Sequence, residues 1–252
     1  MCSDRVMDAA RNKADAHVGN RGLSLVFVPW PWDEAQEFIQ KTEQWNHVSG
    51  NRYTIIHYTP GYRHPAILKA NEEPAAQIYV RGHGNVGRAQ IQIKVDTGGA
   101  AIDERKIPIT LACERLMLMG LTKKFSGAIK FFSCYSGTIY RPQDYETETG
   151  RIASGNSTRQ RALAEGIISQ AQFDQWYIQH YPNRSIAGFA ADYLRANGFK
   201  KCNFYGYLGP LESEYADDGT GAWHKRVNMA GLHNSPGGMV GTHRASAGRI
   251  QV

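Results

Sequence analysis

The sequence predicts an α/β domain built on a mostly parallel sheet with helices on both faces. Apolar runs of strand length alternate along the chain with amphipathic patterns of helix length, which is typical of parallel sheets. The central runs, such as "GAIKFFSCYSG" at 127–137, stay apolar until they end, as strands buried on both faces do. The 252 residues contain no internal repeat, so one domain is enough to account for them.

The strands are predicted from apolar runs that end in turn residues or polar residues. The main strands are expected at 23–30, 52–60, 75–84, 127–137 and 200–210. A further segment, "AQIQIKVD" at 89–96, alternates apolar and polar residues with a period of two. This period predicts a short strand or one arm of a hairpin rather than a helix.

The helices are predicted from their periodicity and from residues suited to their ends. Asp33 is placed to cap a helix over 33–45, and Pro108 suits the first turn of a helix over 108–121. Ser185 is expected to cap a later helix that Gly198 ends. A further helical region is expected around 158–180, after a polar stretch.

The domain organisation follows from the two ends of the chain. Residues 1–22 are predicted to be an N-terminal extension, and 23–252 a single domain. From Glu212 onwards the chain is rich in Gly, Ser and polar residues, which predicts long loops with room for one short strand. The first 22 residues have no apolar core of a signal peptide. We therefore expect a cytoplasmic protein, or one delivered from a bacterial cell without a classical signal peptide.

Composition excludes several classes of protein. No apolar run approaches the ~18 residues of a membrane span, so none is predicted. The net charge of +6 comes from scattered Lys and Arg without a basic stripe, and nucleic-acid binding is not expected. The four cysteines form no C-x-x-C pair, and the histidines have no H-E-x-x-H spacing. The sequence therefore predicts no disulfide framework, no metal site and no cofactor.

The loop "RGHGNVGR" at 81–88 admits two interpretations. Gly82, Gly84 and Gly87 match the G-x-G-x-x-G fingerprint of dinucleotide-binding proteins. That interpretation requires a helix to begin in the loop, because the pyrophosphate binds at its N-terminus. The strand period of 89–96 argues against such a helix. In the second interpretation, His83 at the end of an apolar strand is a catalytic imidazole.

A matching nucleophile follows another apolar strand. Cys134 comes after "AIKFF" with only Ser133 between, and the small residues Ser136 and Gly137 leave room for a substrate carbonyl. Because parallel strands end at the same edge of a sheet, His83 and Cys134 are expected to lie close together. A lone His or Cys at a strand end is more often structural, but the pair at this spacing favours catalysis.

These motifs resemble those of the caspase-like (clan CD) cysteine peptidases, which include legumains, gingipains, separases and the self-processing domains of large bacterial toxins. Cys134 follows His83 by 51 residues, close to the ~50 residues between histidine and cysteine in caspases. The motifs cover about fifteen residues. Ser133-Cys134-Tyr135-Ser136-Gly137 departs from the caspase pattern Q-A-C-x-G, so the chain is distant from true caspases and aspartate specificity does not follow.

The resemblance implies a caspase-like three-layer sandwich and a cysteine endopeptidase that acts on protein or peptide substrates, with a self-processing enzyme and a bacterial effector as the two candidate forms. Cys134 would be the nucleophile and His83 the general acid and base. The backbone N–H groups of Gly84 and Cys134 would form the oxyanion hole. A Cys-His dyad would need no third acidic residue.

The substrate pocket is implied by the same resemblance. Tyr135 either lines the cleft or packs in the core, and Ser136 and Tyr207 are further candidates. The acidic Glu212 and Asp217, in the region after the strand at 200–210, would suit a substrate Arg or Lys, although a solvated acidic loop explains them equally well. The polar stretch 141–157 is a candidate self-cleavage loop, with an exposed linker as the alternative.

Two other functions remain open from the sequence. One is a catalytically silent caspase-like module that binds a protein partner. The presence of both His83 and Cys134 argues against it, because binding requires neither. The other is a nucleotide-binding protein that uses the loop from Gly82 to Gly87.

Overall fold

The computed structural model describes residues 22–48, 50–84, 89–96, 102–137, 164–166, 169, 172, 185–208, 211–217, 223–228 and 242–252. The predicted N-terminal extension, the stretch 141–157 and most of the helical region at 158–180 lie outside these residues. So do positions 85–88, the second half of the glycine-rich loop.

The fold is mixed α/β, and its centre is a six-stranded, mostly parallel sheet. Its strands are β1 (Ser24–Val28), β2 (Thr54–His57), β3 (Gln77–Arg81), β7 (Ala128–Phe132), β8 (Asn203–Tyr207) and β12 (Arg249–Gln251). They lie in the order β12-β8-β7-β3-β1-β2, and only the edge strand β12 is antiparallel to its neighbour. All five main strands expected from the sequence are present, and all are parallel.

Two small antiparallel sheets flank this centre. One contains β4 (His83–Gly84), β5 (Gln90–Asp96) and β6 (Ile102–Pro108). The other contains β9 (Leu211–Asp217), β10 (Trp223–Asn228) and β11 (Thr242–Arg244). The prediction of a hairpin arm at 89–96 is confirmed by the pairing of β5 with β6.

The tail differs from its prediction. Where one short strand is predicted, the described residues after β8 form four strands, β9 to β12, and a 3₁₀ turn, Ala245–Gly248. Charged runs such as "LESEYAD" of β9 do not stand out as strands in the sequence. Pairing with a neighbouring strand overrides their low intrinsic preference for strand structure.

Four helices of at least six residues are described: α1 (Trp32–Val48), α2 (Pro65–Ala70), α3 (Ile109–Leu118) and α4 (Ile186–Ala196). The prediction that Asp33 caps α1 is wrong, since the helix begins at Trp32 and Asp33 lies in its first turn. There its negative charge still favours the helix N-terminus. Pro108 is the N-cap of α3, and Ser185 caps α4 by accepting from the Gly188 N–H. Gly198, with φ of 92°, follows the C-terminus of α4.

The core lies on both sides of the central sheet. In β7, the buried residues Ile129, Lys130, Phe131 and Phe132 follow one another, so neighbouring side chains that point in opposite directions are both covered. Phe131 belongs to the main hydrophobic core, whereas Phe132 contacts the Tyr207 ring on the other side. This burial fixes β7, and with it the residues that follow its carboxyl end.

A lysine lies in this buried surface. The Lys130 ammonium donates to the Gln77 amide oxygen and, at 3.0 Å, to the Tyr79 hydroxyl. Burial, with a smaller contribution from the nearby Arg249 charge, lowers the pKa of Lys130 to about 8. Since Lys130 is 5% exposed, the folded protein holds this charge at a cost in free energy.

We expect this cost to appear in the pH dependence of stability. Between pH 8 and the ordinary lysine pKa of 10.5, the unfolded chain retains the Lys130 proton while the folded protein has lost it. For Lys130 alone, the free energy of unfolding should therefore rise with pH in this window, whereas the raised pKa values of the buried Cys113 and Cys202 thiols act in the opposite direction. Urea denaturation between pH 7.5 and 9.5 measures the slope, and Lys130→Met, which keeps both thiols, should make it less positive. Lys124→Met, at an exposed lysine, should leave it unchanged; an equal slope in wild type and Lys130→Met would contradict the expectation.

Candidate functional site

His83 and Cys134 lie at the same edge of the central sheet. Strands β3 and β7 are adjacent and parallel, and Arg81 is paired with Phe132 in their register. Each candidate residue comes two positions after its member of this pair. Because neighbouring strands are about 4.8 Å apart, the two residues leave the sheet side by side. The structure thus brings together the two residues that the sequence selected.

The backbones beyond the two strands also meet. A Cβ atom placed on Gly84 would lie 2.4 Å from the backbone oxygen of Cys134. It would also lie 3.0 Å from Ser133 Oγ. Only glycine permits this approach, since the Cys134 carbonyl is fixed in the main chain. The two residues expected to supply oxyanion-hole N–H groups are therefore in direct contact.

The thiol of Cys134 is partly exposed and contacts strand β9. The Leu211 N–H donates to Cys134 Sγ at 3.2 Å, and Sγ lies 3.7 Å from the Leu211 carbonyl oxygen. The other two described cysteines, Cys113 and Cys202, are buried. Burial raises the pKa of both thiols, to about 11 for Cys202 and further for Cys113. Of the three cysteines that the structure describes, Cys134 is the one that is partly exposed to solvent.

The turn after the thiol contains a residue in the left-handed region. Tyr135 has φ of 55°, a conformation that costs a residue with a Cβ about 1–2 kcal/mol. Strained residues of this kind cluster at functional sites, where the surrounding contacts hold them. Tyr135 is half-buried, so part of its surface packs inside the fold and part is exposed.

Ser136 ties this turn to its surroundings and has no exposed surface. Its hydroxyl donates to the Phe131 carbonyl and accepts from the Tyr207 N–H at 3.0 Å. Its own carbonyl accepts from the Ala187 N–H at 2.8 Å, at the start of α4. These bonds connect the ends of β7 and β8 with a helix, and they place Ser136 in the buried framework of the turn that carries Cys134.

The remaining candidates for the substrate pocket lie on two strands. Tyr207, at the end of β8, is 3% exposed, and its ring packs on Phe132 with centroids 5.2 Å apart. Burial raises the pKa of its phenol. Glu212 and Asp217 belong to β9, so the acidic segment is a paired strand and not the loop that was the alternative explanation.

The surroundings of His83 come from two elements. The ring of Phe38 on α1 contacts the imidazole edge-on, with centroids 5.4 Å apart. The Arg81 guanidinium also lies over the Phe38 ring, 5.1 Å from its centroid. From β5, Gln92 is the register partner of His83. The imidazole itself is exposed at the edge of the sheet.

The dinucleotide interpretation of the glycine-rich loop requires a helix after the loop, and the described residues there form a strand instead. The chain after the loop forms strand β5, which pairs with both β4 and β6. A pyrophosphate would need a helix N-terminus at this position. The strand period of the sequence therefore predicted this segment correctly.

In the part of the chain that the structure describes, the His, Cys, Asp and Glu side chains form no group of three or more that could hold a metal ion. None of its helices is both long enough and apolar enough to cross a membrane.

Comparison with known proteins adds no identification. No family model, curated protein or solved structure matches the chain. Any functional conclusion therefore depends on the chemistry of the residues themselves.

Several residues of the site were missed by the sequence analysis: Phe38, Gln92, Ser133 and Leu211. Their positions depend on tertiary contacts between distant segments, for which the sequence holds no signal. Ser133 is the exception, because it directly precedes the candidate nucleophile. Its hydroxyl is buried and has no hydrogen-bond partner among the described residues. A buried hydroxyl without a hydrogen-bond partner costs about 1–3 kcal/mol of folding free energy. This cost marks the position of Ser133, beside Gly84, as unusual.

Adding a methyl group to Gly84 should disrupt the site. We expect Gly84→Ala to lower the free energy of unfolding by about 2 kcal/mol or more, because the new Cβ meets a backbone oxygen. Gly82→Ala is the matched control, since its Cβ would meet side-chain atoms at 3.1 Å or more, which can adjust. Urea denaturation of both variants measures the difference. Equal losses would show that the close approach at Gly84 is unimportant.

The cysteines should differ in reactivity. We expect iodoacetamide at pH 7.5 to alkylate Cys134 at least about tenfold faster than Cys113 or Cys202, whose thiols are buried with raised pKa values. Peptide mapping by mass spectrometry separates the sites and identifies Cys2, which lies outside the described residues. Modification of Cys113 at the rate of Cys134 would contradict this expectation.

Proposed function

We propose that the protein is a cysteine endopeptidase that uses His83 and Cys134. The observation that carries this proposal is their placement two residues beyond paired positions of adjacent parallel strands. This arrangement gives a partly exposed thiol and an exposed imidazole at one edge of the sheet. Such an edge is where α/β proteins bind their ligands.

The reaction would proceed by acyl transfer. Cys134 Sγ would attack the peptide carbonyl carbon to form a C–S bond, with the thiol proton passing to His83. The imidazolium would then protonate the departing amine as the C–N bond breaks. Water, deprotonated by His83, would hydrolyse the thioester and release the acid. The contact of Gly84 with Cys134 supports an oxyanion hole made by these two residues.

We propose further that the fold is a caspase-like three-layer sandwich, with helices on both faces of the sheet. Two contacts support this arrangement. Trp45 of α1 stacks on Phe132, with centroids 5.9 Å apart. The adjacent Phe131, which points to the opposite face, packs in the main core, which contains residues of α2, α3 and α4 and also Ala35, Phe38 and Ile39 from the first part of α1. The small sheet that begins with His83 then stands at the carboxyl end of β3.

The geometry favours an enzyme over a silent binding module. A module that only binds a partner needs neither a partly exposed thiol nor a neighbouring imidazole. It also has no use for a turn in which Gly84 touches the nucleophile and Tyr135 adopts a left-handed conformation. For the substrate, we propose a slight preference for Arg or Lys before the scissile bond. Its support is the presence of Glu212 and Asp217 on β9, whose first residue contacts Cys134.

Digestion of a mixed peptide library tests the peptidase. We expect the wild-type protein to cleave peptides, and Cys134→Ala and His83→Ala to lose at least about 10³-fold in activity. Mass spectrometry of the products gives the residue before each cut, and an excess of Arg and Lys is expected there. Cys113→Ala removes a buried thiol and is the control. Equal cleavage by wild type and Cys134→Ala, or none by either, would overturn the proposal.

A further inference from the structure

The hairpin formed by β5 and β6 has one apolar face and one polar face. Its apolar face is buried and contains Ile91, Ile93 and Ile107. Side chains on its other face alternate with these, and they are Gln92, Lys94, Glu104 and Lys106. His83 extends this polar row from β4. The polar face of the hairpin therefore places amide and charged groups on one side of the candidate imidazole.

Gln92 is the member of the row directly opposite His83. The two are register partners on antiparallel strands, which places their Cβ atoms about 4.5–5.5 Å apart on the same face. Gln92 is only 8% exposed although it belongs to the polar face. A buried amide beside an exposed imidazole needs hydrogen-bond partners of its own.

Glu104 holds one end of the Gln92 amide. Gln92 Nε2 donates to Glu104 Oε1 at 3.5 Å, and Lys106 Nζ lies 2.9 Å from Glu104 Oε2. The pKa of Glu104 is lowered, chiefly by its hydrogen bond with Lys106 and the charge of that lysine, with smaller contributions from Lys94 and His83. With Nε2 directed to the carboxylate, the amide oxygen remains as an acceptor on the other side.

We propose that Gln92 is a positioning residue for His83, whose imidazole N–H it accepts, and that Glu104 fixes the amide in this orientation. The bond would hold one ring tautomer and leave the other nitrogen for Cys134, as the orienting amide does in a Cys-His-Asn site. An oxygen acceptor also stabilises the imidazolium that forms during acyl transfer. The catalytic consequence rests on the proposed peptidase function, whereas the orientation of the imidazole does not.

Charged groups near His83 come from the hairpin, from β3 and from α1. Lys94, Glu104 and Lys106 share its face of the hairpin. Arg81, two residues before His83 in the sequence, lies over the Phe38 ring that the imidazole also contacts. On α1, Glu37 directly precedes Phe38 in the sequence and forms an ion pair with Lys41. Neutral Gln92 is the group in register with His83, so its replacement changes the hydrogen bond without removing a charge.

The first test is the pKa of His83, measured by NMR titration of the full chain and assigned with His83→Gln. Gln92→Leu removes the acceptor, and the pKa should fall by about 1. Gln92→Glu places a carboxylate at the same position, and the pKa should rise by about 1. A purely structural role of Gln92 would give no opposed shifts. Arg105→Gln, on the other face of the hairpin, is the control and should leave the pKa unchanged.

The second test is the rate of peptide cleavage. Gln92→Leu should lower kcat about tenfold with KM within about twofold, because the ring is less often in its productive orientation. Glu104→Gln keeps an acceptor for the Gln92 amide and should retain most of kcat, whereas Glu104→Leu should not. The side chain of Glu104 is 39% exposed, so these two variants should fold even if Gln92→Leu does not.

The outcomes separate the two proposals. An unchanged His83 pKa in both Gln92 variants overturns the positioning role, whatever the activity. If Gln92→Leu fails to fold, an unchanged pKa in Glu104→Leu overturns it. If Cys134→Ala cleaves peptides as well as wild type does, the peptidase is refuted, and the opposed shifts of the His83 pKa would still establish the orientation of the imidazole.

Discussion

The close approach of two backbones, at Gly84 and at the Cys134 carbonyl, is the constraint on which the site depends. It requires β3 and β7 to be neighbours in a fixed register, since a shift by one residue would separate the two turns. That register is held in turn by consecutive buried residues of β7, covered on both faces. Ser136 adds a second connection, because its hydrogen bonds join the same turn to β8 and α4. The sheet, the helix and the candidate dyad are therefore parts of one packed unit.

The sequence predicts the central sheet and the candidate pair for a common physical reason. Strands buried on both faces must be apolar throughout, so runs such as "AIKFF" of β7 stand out from their surroundings. Polar residues that follow them, such as His83 and Cys134, are then conspicuous. Parallel strands end at one edge, so the sequence alone can place those residues near each other. Their catalytic role stays a prediction, as does the resemblance to caspase-like peptidases.

Residues that act through pairing with distant segments could not be predicted. Strand β6 is "IDERKIP", whose charges hide its strand character, and only its pairing with β5 brings Glu104 towards Gln92. Strand β9 is similarly polar, so its contact with Cys134 has no signal in the sequence. The buried state of Ser136 and Tyr207 is also tertiary, because small and aromatic residues after a strand suit a cleft and a core equally well. Whether a segment forms a helix or a strand follows from its local sequence pattern, whereas the strands and side chains it contacts are set by the packed fold.

The backbone of Leu211 occupies positions beside the Cys134 thiol that a bound ligand could otherwise use. Both hydrogen-bonding groups of the Leu211 backbone lie beside the sulfur. This occupancy is intramolecular, so dilution does not weaken it. A ligand that replaces these two contacts binds only in the fraction of molecules in which β9 has moved aside, whereas a reagent that reaches the exposed side of the sulfur does not need this movement. Because β9 also pairs with β10, its movement away from Cys134 displaces or breaks that pairing as well.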